Sequence, residues 1–228
     1  DSIDKQVTNI ERKAKSGDKE IKAQYEFMKG VKAHLDDGKP ARKHDVPDEF
    51  ATFFKGLGLL TSKPILYVCN VGEDEAATGN VQSEAVAKMA QDNGALSVVI
   101  CAAIESEIAQ LTDPQEKSAF LEDLGLDEPG LNKIIRAGYE LLGLQTFFTA
   151  GPKESRAWTV RKGSTAPEAA GRIHTDFQRG FIKAEVISFE DYIALGGEQQ
   201  AKEQGKLRLE GKDYIVQDGD VILFRFNV

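Results

Sequence analysis

Two short apolar runs decide the fold: PILYVCN at residues 64–70 and ALSVVIC at residues 95–101. Both are short for a core helix and rich in β-branched residues, so each is predicted to be a buried strand. Residues 80–93 between them are predicted to form a helix that ends at Gly94. A strand, a helix and a strand at this spacing indicate a βαβ unit, so the two strands are expected to be parallel.

Ahead of this unit, residues 1–36 carry two apolar stripes at helical spacing. Gly17 is predicted to end the first helix and Asp18 to cap the second, which gives an antiparallel helical hairpin. His34 and His44 flank a basic loop and are expected to be exposed. The hairpin is interpreted as a surface element without chemistry, and an arm that binds a partner is the alternative.

From about Leu144 onward, the predicted secondary structure is mostly strand. A helix is predicted at residues 166–177, residues 191–203 are partly helical, and Asp218-Gly219 marks a turn. Strands are predicted at residues 145–149, 157–160, 181–187, 212–216 and 221–226. This pattern is typical of a small α+β domain of about 80 residues. The predicted domains are the hairpin at 1–43, a nucleotide-binding segment at 44–144 and the α+β domain at 145–228.

Composition narrows the functional class. The chain has 228 residues and a net charge of −8, and residues 44–144 hold most of the acidic excess. This balance argues against a general nucleic-acid binder that relies on phosphate neutralisation, but it leaves room for a local basic face. No apolar run approaches the roughly 20 residues that a membrane helix needs, so no membrane partner is expected. Two cysteines and a charged N-terminus without a signal-peptide pattern predict a cytoplasmic location.

A candidate base-recognition motif follows the first strand. Asn70 and Glu73 form the pattern N-x-x-E, which resembles the N-K-x-D motif that reads guanine in P-loop GTPases. Val71 stands where that motif has lysine, and Ala102 and Ala103 correspond to a loop whose backbone N–H groups approach the base. The longer glutamate displaces the carboxylate from the guanine donors, so adenine becomes a competitor and ATP against GTP stays open. The alternative is an ordinary solvated acidic loop.

Longer matches extend the resemblance along the chain. They are residues 101–108 (CAAIESEI), 124–131 (LGLDEPGL), 135–139 (IRAGY), 144–151 (LQTFFTAG) and 209–220 (LEGKDYIVQDGD). The chain resembles the Obg-like ATPases of the YchF/EngD type, and its last 80 or so residues resemble the TGS domain of that family. The resemblance implies an α/β protein: part of a P-loop NTPase parallel sheet with a helical hairpin, followed by a β-grasp-like α+β domain.

The phosphate-binding motif of that family is absent from these residues. None of the Gly-Lys pairs, at Gly38, Gly205 and Gly211, completes the pattern G-x-x-x-x-G-K-[ST]. The resemblance implies ATP or GTP with Mg²⁺, and K⁺ as a further candidate, in an intact parent. The chain alone is expected to be inactive, a remnant with no catalytic residue and no metal ligands of its own.

The resemblance also implies a ribosome or RNA as partner of the C-terminal domain. The candidate contacts are the basic residues Lys153, Arg156, Arg161, Lys162, Arg172, Arg179 and Lys183. Trp158 and Phe181 lie among them and are candidates for stacking on bases. The alternative is a core tryptophan beneath an ordinary charged surface. A nonenzymatic module that binds ribosome, RNA or protein is therefore the second functional hypothesis. His174 is expected to be a locally bonded structural residue.

Overall fold

The computed structural model describes residues 2–15, 17–151 and 154–227. They form two compact units, Asp1–Ile65 and Leu66–Val228. These units do not coincide with the predicted domains, because residues 44–65 belong to the same compact unit as the hairpin. The three predicted domains therefore stay a prediction.

The elements alternate between helix and strand in the middle of the chain and become strand-rich towards its end. The helices are α1 Ser2–Ala14, α2 Lys19–Asp36, α3 Ala51–Gly56, α4 Val81–Asp92, α5 Ala102–Gln110, α6 Pro114–Asp123, α7 Gly130–Leu141, α8 Ala166–Ile173, α9 Thr175–Arg179, α10 Phe189–Ala194 and α11 Glu198–Glu203. The strands are β1 Leu66–Asn70, β2 Leu96–Ile100, β3 Leu144–Ala150, β4 Ser155–Arg161, β5 Phe181–Ile187, β6 Arg208–Glu210 and β7 Val221–Phe226. Of the helices that the structure describes, none combines the length and apolar content required to cross a bilayer.

The first unit contains the predicted helical hairpin. Asp18 caps α2 by accepting hydrogen bonds from the N–H groups of Glu20 and Ile21, at 2.8 and 3.3 Å. An ion pair of 2.9 Å between Asp4 and Lys32 joins the start of α1 to the end of α2, so the two helices run antiparallel. The hairpin is therefore closed by a local cap at its turn and an ion pair at its open end.

His34, near the end of α2, and His44, after the hairpin, are half-buried, so the prediction that they are exposed was wrong. Their rings meet edge to face at 5.1 Å, and His44 also lies 5.7 Å from the Phe27 ring. His34 Nε2 is 3.0 Å from the carbonyl oxygen of Pro40. Burial and the neighbouring His34 lower the pKa of His44 below its ordinary value. Basic neighbours in the sequence suggested a solvated loop, but the aromatic contacts turn both rings inward.

The second unit begins with the βαβ unit. Strands β1 and β2 are parallel, with Leu66 opposite Leu96 and Asn70 opposite Ile100. Helix α4 connects them, and α7 packs against both. Ile104 and Ile108 of α5 pack with Leu121 of α6 in a small core beside the strands. The predicted parallel pair is confirmed, and it brings the ends of β1 and β2 to the same edge. The prediction that both strands are buried was wrong, because they form a sheet of only two strands in which no residue is fully buried and Val68 is 45% exposed.

A five-stranded mixed sheet follows, in the order β4-β3-β7-β5-β6. Strand β3 pairs parallel with β7, and the other neighbouring strands are antiparallel. One face packs against α8, where Phe147, Val160 and Ile222 meet a row of small helix residues that includes Ala169 and Ala170. The alanines let the helix backbone approach the sheet closely, which gives the α/β fold its second hydrophobic core.

Two predicted elements of this domain differ from the structure, and one strand was not predicted. Residues 212–216 are not a strand, since Ile215 makes only an isolated bridge with Thr165, while the buried Gln145 side chain donates to the Val216 carbonyl at 2.6 Å. The apolar residues of 212–216 pack beside α8 and do not pair with a strand of the sheet. The short charged strand β6 was not predicted, because edge strands need no apolar alternation. The helix expected at 166–177 is interrupted at His174, whereas residues 191–203 are partly helical as predicted, since they contain the end of α10 and all of α11.

Candidate functional site

The carboxyl ends of the two parallel strands are tied together by Asn70. Its Oδ1 accepts a hydrogen bond of 2.9 Å from the backbone N–H of Ala102, the first residue of α5. The N–H of Val71 donates to the Ile100 carbonyl at 2.9 Å, which continues the strand pairing for one more residue. The loops after β1 and β2 are therefore held side by side.

Glu73, the acidic residue of the motif, follows Asn70 by three residues. Glu73 opens a single 3₁₀ turn, Glu73–Glu75, and its side chain is exposed. Within the described residues, its carboxylate has no hydrogen bond or ion pair with another part of the chain. Val71 is half-buried at the base of the loop. The arrangement leaves a carboxylate open to an incoming donor.

The opposite side of the edge is the start of α5. Ala102 and Ala103 are both exposed. Because Ala103 lies in the first turn, its N–H has no acceptor within the helix and points along the positive end of the helix dipole. Their small side chains leave space above the backbone. A flat ring with acceptor atoms fits this surface chemically.

Two further carboxylates support the edge, and the sequence reasoning did not identify them. Glu105 accepts from the N–H groups of Gly130 and Leu131, at 2.6 and 3.1 Å, and so caps the start of α7. Glu75 accepts from the Asn80 side-chain amide at 2.7 Å. A Pro-Gly pair at the start of a helix is a weak signal for such a cap, but nothing local identifies its partner.

The candidate RNA contacts are not all on one surface. Lys153 lies outside the described residues. Arg156 and Arg161 are exposed on the edge strand β4, and Lys162 follows directly. The others are distributed over other elements: Arg172 on α8, Arg179 on α9 in an ion pair with Asp176, and Lys183 on β5 beside Glu185. Arg156 and Arg161 are five positions apart on β4 and therefore point to opposite faces of the sheet, so the structure brings only Arg161 and Lys162 together.

The two aromatic candidates differ from the prediction. Phe181 is 6% exposed and part of the core, so it cannot stack on a base. Trp158 is partly buried against the same core, and its Nε1 donates to Thr149 at 2.9 Å. The Arg156 guanidinium lies 4.3 Å from the Trp158 ring centroid and covers it. The alternative of a core tryptophan under a charged surface therefore describes this region better.

The remaining candidates are structural. His174 Nδ1 accepts from the N–H of Asp176 at 3.2 Å and caps α9, as expected of a locally bonded residue. Cys69 and Cys101 are free thiols, the second of them buried. Across residues 2–15, 17–151 and 154–227, no three His, Cys, Asp or Glu side chains are grouped closely enough to hold a metal ion.

Comparison with known proteins agrees with this architecture. Residues 144–227 match the family YchF-GTPase_C, described as a protein of unknown function (DUF933). The whole chain is 53% identical to "Ribosome-binding ATPase YchF" of Haemophilus influenzae and covers 62% of that protein. It is 41% identical over 229 residues to "Obg-like ATPase 1" of Pongo abelii, with 97% of this chain and 57% of that protein covered.

A solved structure shows the same fold. The Schizosaccharomyces pombe YchF GTPase superposes with a TM-score of 0.83 at 29% identity, over 98% of this chain and 61% of that one. The chain thus spans about three fifths of the length of the relatives that it matches.

The parallel pair, the linked loops at its edge and the mixed C-terminal sheet place the chain in the class of α/β proteins that share the fold of the YchF GTPase structure. Within that class, the chain is a homologue of the YchF and Obg-like ATPases along its whole length.

Proposed function

We propose that the edge formed by Asn70, Val71, Glu73, Ala102 and Ala103 binds the purine base of ATP or GTP in a protein that hydrolyses the triphosphate. The observation that carries the proposal is the 2.9 Å hydrogen bond from the Ala102 N–H to Asn70. It holds two loops side by side at the carboxyl edge of a parallel sheet, where ligands of α/β proteins bind.

Each group has a role in this proposal. Glu73 accepts a hydrogen bond from the exocyclic amine of the base, because its carboxylate is exposed and unpaired in the described chain. The N–H of Ala103 donates to a ring acceptor, and Val71 packs against the ring edge. Adenine offers one exocyclic donor and guanine offers an amine and a ring N–H, so the length of Glu73 influences which base binds.

The phosphates and the metal ion are assigned to other residues. The chain contains no G-x-x-x-x-G-K-[ST] motif, and the described residues contain no group of three or more His, Cys, Asp or Glu side chains that could hold a metal ion. Mg²⁺ would neutralise phosphate charge during hydrolysis, and K⁺ is the further ion proposed. We therefore infer that this chain is the base-recognition and C-terminal part of the enzyme and does not hydrolyse nucleotide alone.

The test compares this chain with a longer chain in which a P-loop segment is restored. We expect hydrolysis of ATP, or of GTP, only by the longer chain, and a loss of nucleotide affinity when Asn70 or Glu73 is replaced by alanine. The measurement is phosphate release together with titration of a fluorescent nucleotide. Hydrolysis by the 228-residue chain, in a preparation free of contaminating ATPases, contradicts the proposal.

A second candidate function is nonenzymatic association with a ribosome or RNA through the C-terminal sheet. It is favoured by the exposed cations of β4 and by the printed name of the bacterial relatives, "Ribosome-binding ATPase YchF". Pelleting with ribosomes at low and high salt distinguishes the two candidate functions. Salt-sensitive association that survives replacement of Asn70 and Glu73 supports the module, whereas association that depends on nucleotide in the longer chain supports the enzyme.

A further inference from the structure

We infer that Glu75 and Asn80 are positioning residues that set the orientation of Glu73 and thereby the affinity for the base. The inference rests on the proposed function, since it concerns the same edge. Glu75 and Asn80 both follow Glu73 in the chain. They act through the backbone of the loop that carries Glu73.

Glu75 holds the beginning of that loop. Its Oε2 accepts from the Asn80 side-chain amide at 2.7 Å and from the Gly72 N–H at 3.4 Å. Gly72 precedes the 3₁₀ turn Glu73–Glu75 and has no side chain with which to cap it. Backbone hydrogen bonds close the turn, such as the one from the Glu75 N–H to the Gly72 carbonyl at 3.1 Å, and the Glu75 carboxylate adds a side-chain bond that connects Gly72 to Asn80.

Asn80 anchors Glu75 to α4. Its Oδ1 accepts from the N–H of Ser83 at 2.9 Å, and its own N–H donates to Ser83 Oγ at 2.8 Å. Ser83 is 4% exposed. A Cβ atom on Gly79 would lie 2.6 Å from Ser83 Oγ, so the chain is tightly packed here. Asn80 therefore has a fixed position from which its amide can hold Glu75.

The loop that carries Glu73 is therefore held by hydrogen bonds at both of its ends. Asn70 joins it to α5, and Glu75 with Asn80 joins it to α4. Glu73 lies between these two sets of hydrogen bonds, and its side chain is exposed. Loss of the hydrogen bonds on one side changes the direction of the Glu73 carboxylate and leaves the phosphate-binding groups unaltered. Small misplacements of a binding group reduce binding strongly. Affinity for the base should fall while affinity for a bare polyphosphate is kept.

The experiment uses the longer chain with a P-loop segment and measures dissociation constants for ATP, GTP and tripolyphosphate. Glu75→Ala should weaken binding of the preferred nucleotide about tenfold, as expected for loss of one or two hydrogen bonds, and change tripolyphosphate binding less than about twofold. Glu75→Gln should remain close to the parent, because both bonds use one oxygen that an amide can supply. Glu122→Ala, at an exposed carboxylate on α6, is the control and should change neither constant.

Asn80→Asp is an independent variant in case Glu75→Ala fails to fold. It keeps the oxygen that caps α4 but replaces the donor to Glu75 with a like charge, so it should reproduce the selective loss. Equal losses for nucleotide and tripolyphosphate, together with a lower melting temperature, would show a merely structural role and overturn the inference.

The same measurement on Glu73→Ala separates this inference from the proposed function. If Glu73→Ala weakens nucleotide binding and neither Glu75→Ala nor Asn80→Asp does, the positioning role is refuted and the site stands. If Glu73→Ala also leaves binding unchanged, the proposed base site itself is refuted.

Discussion

The length of one acidic side chain distinguishes this edge from the N-K-x-D motif that it resembles. Glu73 carries its carboxylate one methylene further from the backbone than an aspartate does, and the side chain is exposed and free to point into the edge. Since the surrounding loops are held by the side chains of Asn70, Glu75 and Asn80, shortening Glu73 should move the acceptor without moving the loop.

Glu73→Asp should therefore shift the ratio of ATP to GTP affinity towards GTP by roughly tenfold in the longer chain, because the shorter carboxylate can accept both guanine donors. Titration with both nucleotides measures this ratio. Glu107→Asp, at an exposed position of α5, is the control. An unchanged ratio would mean that Glu73 does not contact the base.

Asn70 and Glu73 could be identified from the sequence because Asn70 ends a short apolar run and Glu73 comes three residues later, and polar residues at the carboxyl end of a strand are expected to bind ligands. Glu75 and Glu105 could not be identified in the same way. The carboxylate of Glu105 meets the amide of Gly130, 25 residues away, and only the packing of α7 on the strands brings the two together. Several acidic residues in this segment have the same local appearance, and the fold selects among them.

Helix α7 depends on a close approach at its first residue. A Cβ atom on Gly130 would lie 2.8 Å from Ile100 Cγ2 and 3.0 Å from Glu105 Oε1, whereas one on Gly138 of the same helix would meet nothing within 4 Å. The two glycines therefore have opposite roles, although the sequence alone does not distinguish them.

Gly130→Ala should lower the free energy of unfolding by about 1–3 kcal/mol, because the methyl group overpacks against β2. Gly138→Ala, the matched control on α7, should raise it by about 0.5–1 kcal/mol, since alanine favours a helix where space is open. Urea unfolding of the 228-residue chain measures both. A loss of stability of the same size at both positions would show that the close approach is not the cause.

Strands β5 and β7 are joined by an ion pair with two hydrogen bonds. Arg225 donates to both oxygens of Glu185, at 3.2 and 2.9 Å. The bonds from Arg225 lower the pKa of the Glu185 carboxyl below its ordinary value. A carboxyl with a lowered pKa in the folded chain contributes stability above its unfolded pKa and loses it as the pH falls through the folded pKa.

Glu185→Gln should lower the free energy of unfolding at pH 7 by about 0.5–1 kcal/mol, a modest value because the Arg225 side chain is 51% exposed. The difference from the parent should shrink as the pH falls through the lowered pKa of Glu185. Urea unfolding between pH 7 and pH 3 tests this, with Glu154→Gln at an exposed carboxylate as control. A difference that stays constant with pH would assign the effect to packing.

The chain as a whole is acidic, yet the end of β4 presents two neighbouring cations. Arg161 and Lys162 are exposed at the end of this edge strand, so a nucleic-acid partner can reach them without rearrangement of the sheet. The net charge of −8 makes a general affinity for nucleic acid weak, so any association with a ribosome should depend on this pair.

Replacement of Arg161 and Lys162 by glutamine should weaken ribosome association of the 228-residue chain and reduce the slope of log affinity against log salt by roughly one to two. The same charge change at the exposed Lys202 and Lys212 is the control. Pelleting at a series of salt concentrations measures the slope. Equal effects of both pairs would indicate a dependence on net charge alone.

Local patterns in the sequence were sufficient to predict the helical hairpin, the parallel β1–β2 pair and the residues at the ends of these strands. Apolar periodicity and the residues that begin or end a helix act between near neighbours in the chain. Only the tertiary structure decided that Glu105 caps α7, that Phe181 is core and that residues 212–216 pack beside α8. Those outcomes depend on which distant groups become neighbours, and a hydrogen bond or a buried ring acquires its role only when its partner is brought within contact distance.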